Sequence, residues 1–253
     1  MTADQSDESL SSPVAVGTYV VCLLDVLGFE HILGQLGLEV LHSKYELLVA
    51  HVRKQTGGID IVPLPDGTTA VGWPEVGNAY FSDSMIFWTR YAGTIGLFSF
   101  TQMISDVICH GIEIGLPLRG GIAAGDAILD SSRGVFLGEP LVEVARLERA
   151  QAWIGASFGP SFQAERFKCN FYLNTVLPFR SHYKEPDRQL ATGIAIDWPR
   201  RWREARKSEP DAAIKALDVS PPFSPYYQMS LRFAEFSRQN HDWFNRQSHL
   251  DYG

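Results

Sequence analysis

The sequence predicts an α+β fold with a ferredoxin-like split βαβ core and a C-terminal strand and helix extension. Apolar runs of strand length alternate with segments of helical period in the order β-α-β-β-α-β. Glycine and proline stop signals separate these segments. With 253 residues, 45% of them hydrophobic, the chain can bury a full core. We expect an antiparallel sheet with its helices on one face.

The first strand and helix follow a short N-terminal tail, residues 1–16, which we expect to be flexible. The run GTYVVCLLDVLGF is typical of a strand buried on both faces and begins at Gly17. Helical spacing then continues over residues 31–55, with a break predicted near Gly37. The segment IDIVPLPDGTTAVGW contains two short strand-like pieces around Asp66-Gly67 and is interpreted as an insertion outside the core.

The next segments complete the predicted core. NAYFSDSMIFWT is a strand region that carries Asp83 among apolar neighbours, and a helix is predicted over about 94–115. The strand LPLRGGIAAGDAILD contains Gly120, Gly121 and Gly125, which predict a bulge or a close backbone approach. The helix GEPLVEVARLERA and the strand WIGASFGP follow.

Beyond about Ser161 the pattern changes. CNFYLNTVLPF and QLATGIAIDW predict two further strands, which we include in a main domain over residues 17–198. Residues 199–253 alternate charged helical stretches with the break SPPFSP. We expect this part to be a helical extension that packs on the core.

Composition excludes several classes of function. The formal net charge of −7 disfavours the broad basic surface of a nucleic-acid-binding protein. Cys22, Cys109 and Cys169 are too few and too widely spaced for a disulfide framework or a thiolate zinc site. No segment has the pattern of a signal peptide or a membrane span. We therefore expect a cytoplasmic protein without membrane or nucleic-acid partners.

The strongest chemical feature is a pair of acids. Asp25 lies at the exit of the first predicted strand and Asp83 lies within the next strand region. Two neighbouring buried carboxylates repel unless a cation or a proton intervenes, which favours a hard metal such as Mg²⁺ or Mn²⁺. Gly28-Phe29 begins a helix, whose N–H groups suit a polyphosphate. The alternative is that Asp25 is a plain helix N-terminal acid and Asp83 a turn residue.

Four segments together resemble the class III nucleotidyl cyclases. DVLGF and FSDS look like the family's two metal-binding segments, LRGGIAAGD is similar to its Arg-x-Gly-Ile strand, and GEPLVEVARLE looks like the helix that carries a catalytic Arg. Their order is kept over roughly residues 18–160. The resemblance makes residues 17–198 the catalytic domain.

The resemblance implies a role for each matching residue. Asp25 and Asp83 become ligands of two Mn²⁺ or Mg²⁺ ions, with the carbonyl of Val26 as an additional ligand. Gly28 and Phe29 become contacts of the triphosphate.

The same resemblance makes Arg146 the cation that stabilises charge on the α-phosphate. It also implies a homodimer with sites at the interface, in which the Arg146 helix of one chain completes the site of the other. The alternative for Arg146 is an exposed helix residue paired with Glu139 or Glu143.

Several positions depart from the family pattern. Ala79 and Val135 stand where adenylyl cyclases carry the Lys and Asp that read adenine, and the guanine-reading Glu is also missing. Val142 stands where the family carries a ribose-orienting Asn. These departures indicate a base other than a purine.

A short cyclase with both acids and no purine readers resembles the pyrimidine cyclases of bacterial Pycsar anti-phage systems. That resemblance implies UTP as substrate, cyclic UMP as product and a separate effector for the product. Tyr45, Tyr80 and Phe81 could shorten the base pocket, although each is also a natural core residue. Cytidylate cyclase, adenylate cyclase and a non-catalytic nucleotide-binding module remain alternatives. An RNA-binding module conflicts with the acidic charge.

The sequence does not identify which other cation contacts the triphosphate. Five cations could reach phosphate oxygens, and Arg119 could equally hold the sheet to its loop; the five are Arg90, Arg119, Lys168, Arg180 and Lys184.

Overall fold

The computed structural model describes residues 16–56, 62–63, 69–70, 75–167, 174–190, 192–218 and 220–243. Asp66-Gly67, Lys168 and Cys169 lie outside the described residues. The helices and strands, in chain order, are β1 (Gly17–Val26), α1 (Phe29–Thr56), β2 (Val62–Pro63), β3 (Thr69–Ala70), β4 (Gly77–Phe81), β5 (Ser84–Arg90), α2 (Gly93–Ile114), β6 (Leu118–Asp130), β7 (Val135–Gly138), α3 (Glu139–Ala150), β8 (Gly155–Phe158), β9 (Val176–Pro178), β10 (Ile194–Ile196), α4 (Trp198–Arg206), α5 (Asp211–Ala216) and α6 (Ser224–Gln239).

The main sheet has the strand order β4-β5-β1-β6-β8-β10-β9, with β7 paired to β6. Its first four strands, together with α1 and α2, form the predicted split βαβ core, so the α+β class is confirmed. The predicted insertion forms a separate two-stranded sheet of β2 and β3. The prediction of a purely antiparallel sheet is wrong, because β6 and β8 pair in parallel. The helix α3 lies between them in the chain, as a crossover connection requires.

The break predicted in the first helix is confirmed. Gly37 has φ 74° and ψ 165°, so α1 consists of two helical pieces joined at this glycine.

A tight hairpin replaces the single strand region predicted around Asp83. β4 and β5 pair antiparallel, with Phe81 opposite Ser84, and Ser82 and Asp83 form the turn. Ser82 has φ 55°, in the left-handed region that such turns require. Asp83 therefore lies at the end of the sheet rather than inside a strand.

The helices pack on both faces of the sheet, so the prediction that they share one face is wrong. The α1 and α2 core includes Cys22 and Leu24, whereas Val144 of α3 packs with Val21 and Ala123 on the opposite face. We call these the α1 face and the α3 face.

A missing side chain permits the close approach of α3 to the sheet. A Cβ at Gly121 would lie 2.5 Å from the Cβ of Leu147. The close backbone approach predicted from this glycine is confirmed.

The C-terminal helices share the core of the sheet. Trp198 of α4 is fully buried and its Nε1 donates to the carbonyl of Ile154 (3.0 Å). The N–H of Ile154 donates to Ser230 Oγ of α6 (2.8 Å), and the Phe233 ring lies 4.7 Å from that of Trp153. Within the described ranges, none of the helices combines the length and the apolar character needed to cross a bilayer.

Candidate active site

A row of side chains crosses the sheet at the end of β1. Asp25 is directly opposite Ser84 on β5 and directly opposite Arg119 on β6. Ser84 is in turn opposite Phe81 at the edge of the sheet. Opposed residues point to the same face, and the pleat assigns this row to the α3 face. The fold therefore places Asp25 between a hydroxyl and a guanidinium.

The carboxyl of Asp25 is half-buried and electrostatically strained. Burial raises its pKa to about 6, and the nearby charges of Asp83 and Glu148 act in the same direction. The hydroxyl of Ser84, which donates to Asp25 Oδ1 (2.8 Å), and the charge of Arg119 oppose the rise. A proton or a cation would therefore be held more readily here than at an ordinary surface acid.

Asp83 is tied to the same place by the backbone. The N–H of Val26 donates to the carbonyl oxygen of Asp83 (3.1 Å), which fastens the hairpin turn to the end of β1. The structure thus brings together the two acids and Val26, the three predicted metal-ligating residues. It does so with Asp83 as a turn residue, the placement that the alternative interpretation expected.

The turn after β1 presents the start of α1 beside these acids. Gly28 has φ +77°, and its carbonyl accepts from the N–H of Ile32 (3.1 Å), the first bond of the helix. The N–H groups of the first turn, including that of Phe29, have no intrahelical acceptors. The N–H of Leu27 donates to the carbonyl of Pro117 (2.8 Å) and is therefore already paired. Gly28 and Phe29 therefore lie where β1 leads into the start of a helix, a position that suits an anion.

Arg119 is held by the protein itself. Its guanidinium pairs with Glu148 of α3, and its Nη1 donates to the carbonyl of Gln151 (3.2 Å). Its Nε is buried without a hydrogen-bond partner among the described residues. Of the two roles that the sequence left open for Arg119, the geometry favours holding the sheet to α3.

Sequence reasoning missed Ser84, Glu148 and Gln151. Gln151 connects the site to the core, since its Nε2 donates to the carbonyl of Gly120 (2.7 Å) and its Oε1 accepts from Trp153 Nε1 (2.9 Å). Glu148 could have been noticed, because it lies two residues after Arg146 in the motif already selected.

Arg146 lies on the exposed face of α3. This face also carries Glu139, Val142 and Arg149. The charges that act on Asp25 come from Asp83, Glu148 and Arg119, and Arg146 is not among them.

The pairing of Arg146 with a glutamate is not seen either. Glu143 Oε1 accepts instead from the N–H of Ser161 (2.9 Å), and no described residue forms an ion pair with Arg146. The guanidinium of Arg146 is therefore exposed and does not pair with a described acid of the same chain.

The five predicted base-pocket residues are divided between the two faces of the sheet. Tyr45 of α1 and Tyr80 of β4 lie on the α1 face, with ring centroids 6.4 Å apart and hydroxyls buried without partners among the described residues. Burial raises the pKa of Tyr45 to about 12. Ala79 lies on the α3 face, the face of Asp25.

Phe81 lies on the α3 face, whereas Val135 points away from it, because its neighbour Phe136 lies on that face. Phe81 is 46% exposed, and its ring centroid is 5.5 Å from that of Phe136. Val135 precedes Phe136 and begins β7. Phe81 and Ala79 can therefore contribute to one surface, to which Val135 does not belong. Tyr45 lies on the other face, although the charges of Asp83 and Asp25 act on it.

The other candidate cations are spread over the molecule. Arg90 is opposite Tyr19, at the far end of β1 from Asp25. Arg180 Nη2 donates to the carbonyl of Thr192 (3.3 Å). Lys184 Nζ donates to the carbonyl of Arg149 (2.5 Å), at the end of α3. Lys168 lies outside the described residues.

The donor set fits a hard divalent cation. Asp25 and Asp83 supply carboxylate oxygens and Val26 a carbonyl oxygen, the ligand types that Mg²⁺ and Mn²⁺ prefer. Across the described ranges, no three His, Cys, Asp or Glu side chains converge on one point. The protein would thus provide two carboxylates, and water and phosphate oxygens would complete the shell.

Comparisons with known proteins give matches only among solved structures. No family model and no curated protein matches the chain. The adenylyl cyclase CyaB from P. aeruginosa is 13% identical, with a TM-score of 0.38, over 59% of this chain and 80% of that one. A bacterial light-regulated adenylyl cyclase is 13% identical, with a TM-score of 0.38, over 59% of this chain and 79% of that one.

A third solved structure is a class III adenylyl cyclase-like ATP-binding protein from Pseudomonas aeruginosa. It is 10% identical, with a TM-score of 0.36, over 89% of this chain and 44% of that one. Because all three TM-scores are below 0.5, the functional argument rests on the residues of the site.

Proposed function

We propose that the protein is a nucleotidyl cyclase of the class III type that converts UTP to 3′,5′-cyclic UMP and pyrophosphate. The observation that carries the proposal is the position of Asp25 beside Asp83 at the N-terminus of α1. Two carboxylates and the first-turn N–H groups of α1, which have no intrahelical acceptors, meet at one end of the sheet. This combination suits a metal-bound triphosphate.

In this proposal Asp25, Asp83 and the carbonyl of Val26 hold two Mn²⁺ or Mg²⁺ ions. These ions would supply acidity to the ribose 3′-hydroxyl and neutralise the phosphates. The N–H groups of Gly28 and Phe29 bind phosphate oxygens and orient the chain of phosphates. The 3′-hydroxyl gives its proton to solvent and its oxygen forms a bond to the α-phosphorus. The bond from that phosphorus to the bridging oxygen breaks, and pyrophosphate leaves.

Arg146 would act on the site of a partner chain in a homodimer. It is exposed, and it is not among the charges that act on Asp25 of its own chain. Val142, one turn before Arg146 on α3, is 54% exposed. Such apolar exposure beside a cation is typical of an interface.

Mixing two inactive variants tests this arrangement. Asp83→Ala and Arg146→Ala homodimers should each be nearly inactive, and their mixture should regain activity through one hybrid site with both groups intact. Failure of any mixture to recover activity, once subunit exchange is established by mass, would contradict a site shared between chains.

The surface beside Asp25 supports a pyrimidine substrate. Ala79, on the same face, offers neither a donor nor an acceptor to a purine edge, and neither does Val135. Loss of a purine-reading contact weakens discrimination against smaller bases. UTP is our first choice and CTP the second, and the cyclic product would reach a separate effector as a second messenger in anti-phage defence. An adenylate cyclase and a non-catalytic nucleotide-binding module follow.

The decisive experiment is incubation of the purified protein with Mn²⁺ and each of ATP, GTP, CTP and UTP, followed by mass analysis of the products. We expect cyclic UMP. Cyclic CMP would keep the reaction and change the base, whereas cyclic AMP would show that the interpretation of Ala79 and Val135 is wrong. Binding without any product would favour the non-catalytic module.

A matched control is available for this experiment. Asp242 is an exposed acid close to the end of the described chain. Asp242→Ala should retain full turnover, whereas Asp25→Ala should lose it.

A further inference from the structure

The short turn before α6 lies beside the Gly28 turn of the candidate site. A Cβ built on Gly28 would lie 3.5 Å from Cδ2 of Phe223, so the ring of Phe223 lies next to this turn and would meet any side chain placed there. Gly28 is held at φ +77°, a conformation that a flexible turn would leave readily. Phe223 is thus placed to limit the motion of the first N–H donors of α1.

Tyr226, one turn later, contacts the other side of the site. Its ring centroid is 5.9 Å from the guanidinium carbon of Arg119 and 5.9 Å from Nζ of Lys184. These distances are in the range of cation–π attraction. The rings of Phe223 and Tyr226 meet edge to face, with centroids 5.4 Å apart. One aromatic pair therefore spans the space from the Gly28 turn to Arg119.

Arg119 depends on this ring for part of its placement. Glu148 and the carbonyl of Gln151 hold two of its nitrogens, and its Nε has no hydrogen-bond partner among the described residues. The Tyr226 ring contributes an additional contact on this guanidinium. Since Arg119 is directly opposite Asp25 in the sheet, its position affects the acid that we place at the centre of the reaction.

The aromatic pair is itself fixed by the core. Three residues of α6 are anchored there: Ser230 accepts from the N–H of Ile154 (2.8 Å), and Phe233 and Ala234 are buried. The position of Phe223 and Tyr226 is therefore set by the packing of the whole C-terminal helix rather than by a mobile tail.

We propose that Phe223 and Tyr226 are positioning residues of the candidate site. Phe223 holds the Gly28 turn, Tyr226 holds Arg119, and α6 is thereby a working part of the site. The kinetic consequence rests on the proposed function, whereas the mechanical consequence, restraint of residues 27–33, does not.

Three variants and one control test the proposal. Phe223→Leu and Tyr226→Leu remove the rings, and Tyr226→Phe keeps the ring and removes only the hydroxyl. Phe236→Leu is the control, because Phe236 lies on the same helix but packs on Phe179, with centroids 5.4 Å apart, and makes no ring contact with Phe223 or Tyr226.

The first readout is amide hydrogen exchange of the 27–33 segment in the full-length protein without nucleotide. We expect Phe223→Leu to speed this exchange about tenfold, and Phe236→Leu to leave it unchanged. Equal exchange in the two variants would overturn the proposal. This measurement is valid even if the protein turns over no nucleotide.

The second readout is the split between KM and kcat with the nucleotide that the protein turns over. Phe223→Leu should raise KM about fivefold or more with a smaller change in kcat, because the turn binds phosphates in the ground state as well. Tyr226→Leu should lower kcat/KM about fivefold, and Tyr226→Phe should stay within about twofold of the wild type. Equal losses in Tyr226→Leu and Tyr226→Phe would overturn the role of the ring.

Discussion

Asp25 and Asp197 are two acids with a similar pKa and different surroundings. Burial raises the pKa of each to about 6. Asp197 is completely buried at the start of α4, where its Oδ1 accepts from the N–H of Arg200 (3.2 Å) and from the hydroxyl of Ser237. Asp25 is half-buried at the end of a strand, with one hydroxyl partner and a second acid, Asp83, nearby.

The difference shows that a raised pKa does not by itself mark a functional acid. Around Asp197 burial is opposed by Ser237 and by the charges of Arg203 and Arg200, so the group caps a helix within a neutralised site. Around Asp25 a second carboxylate adds to the effect of burial. At the Asp25 site a divalent cation would offset both the burial of the carboxylate and its repulsion by Asp83.

The largest expected effect is on catalytic activity, which should depend on the Asp25–Asp83 site and not on Asp197. Asp83→Ala should reduce turnover by at least about a thousandfold, since it removes a metal ligand, while its thermal unfolding midpoint stays the same or rises. Asp197→Asn should keep turnover within about twofold, because Asn retains the capping acceptor. Steady-state rates and thermal unfolding of both variants check this. Near wild-type turnover in Asp83→Ala would show that the metal assignment is wrong.

The second effect is the pH dependence of stability at Asp197. Its pKa is about 6 in the folded protein against the ordinary 3.8, so the folded state holds its proton more tightly than the unfolded state. The stability from this group is complete below pH 4 and is lost as pH rises through 6, on the order of 3 kcal/mol in total. The unfolding free energy of Asp197→Asn should therefore rise relative to that of the wild type as the pH increases from 4 to 7.

Urea unfolding at several pH values measures this difference in unfolding free energy. A difference between Asp197→Asn and the wild type that stays constant with pH would contradict the shift at Asp197.

A third effect has the opposite sign. His182 is completely buried, stacks 3.9 Å from Trp153, and has no hydrogen-bond partner for either ring nitrogen among the described residues. Burial holds its pKa well below 6.5. Stability from this group is complete above pH 6.5 and is lost as pH falls below it.

His182→Phe keeps the aromatic stack and removes the titrating group. An Asp197→Asn background removes one opposing titration and leaves that of Asp25 equal in the two proteins compared. In this background, His182→Phe should make the change of unfolding free energy with pH less steep between pH 6.5 and 5. An unchanged acid slope would show that His182 takes up no proton on unfolding.

The smallest effect sharpens the electrostatic contrast directly. Asp83→Asn should lower the pKa of Asp25 in the metal-free protein, because a repelling charge is removed. The pKa of Asp197 should not change. NMR titration of both carboxyl carbons measures this, with Asp242→Asn as the control that shifts neither.

Local patterns in the sequence determined the elements and several of their details. The order of strands and helices, the break at Gly37 and the close approach at Gly121 follow from hydrophobic period and from the special role of glycine, which are local properties. Asp25 was assigned to the end of β1 for the same reason.

Only the tertiary structure decided how distant parts meet. Segments far apart in the chain meet in three places: α3 packs on the opposite face, Arg119 pairs with Glu148, and Phe223 lies next to Gly28. Local period indicates that a helix has an apolar face, and it does not indicate which surface covers that face. The surroundings of Asp25 depend on such packing, because burial and neighbouring charges set the behaviour of a carboxyl group.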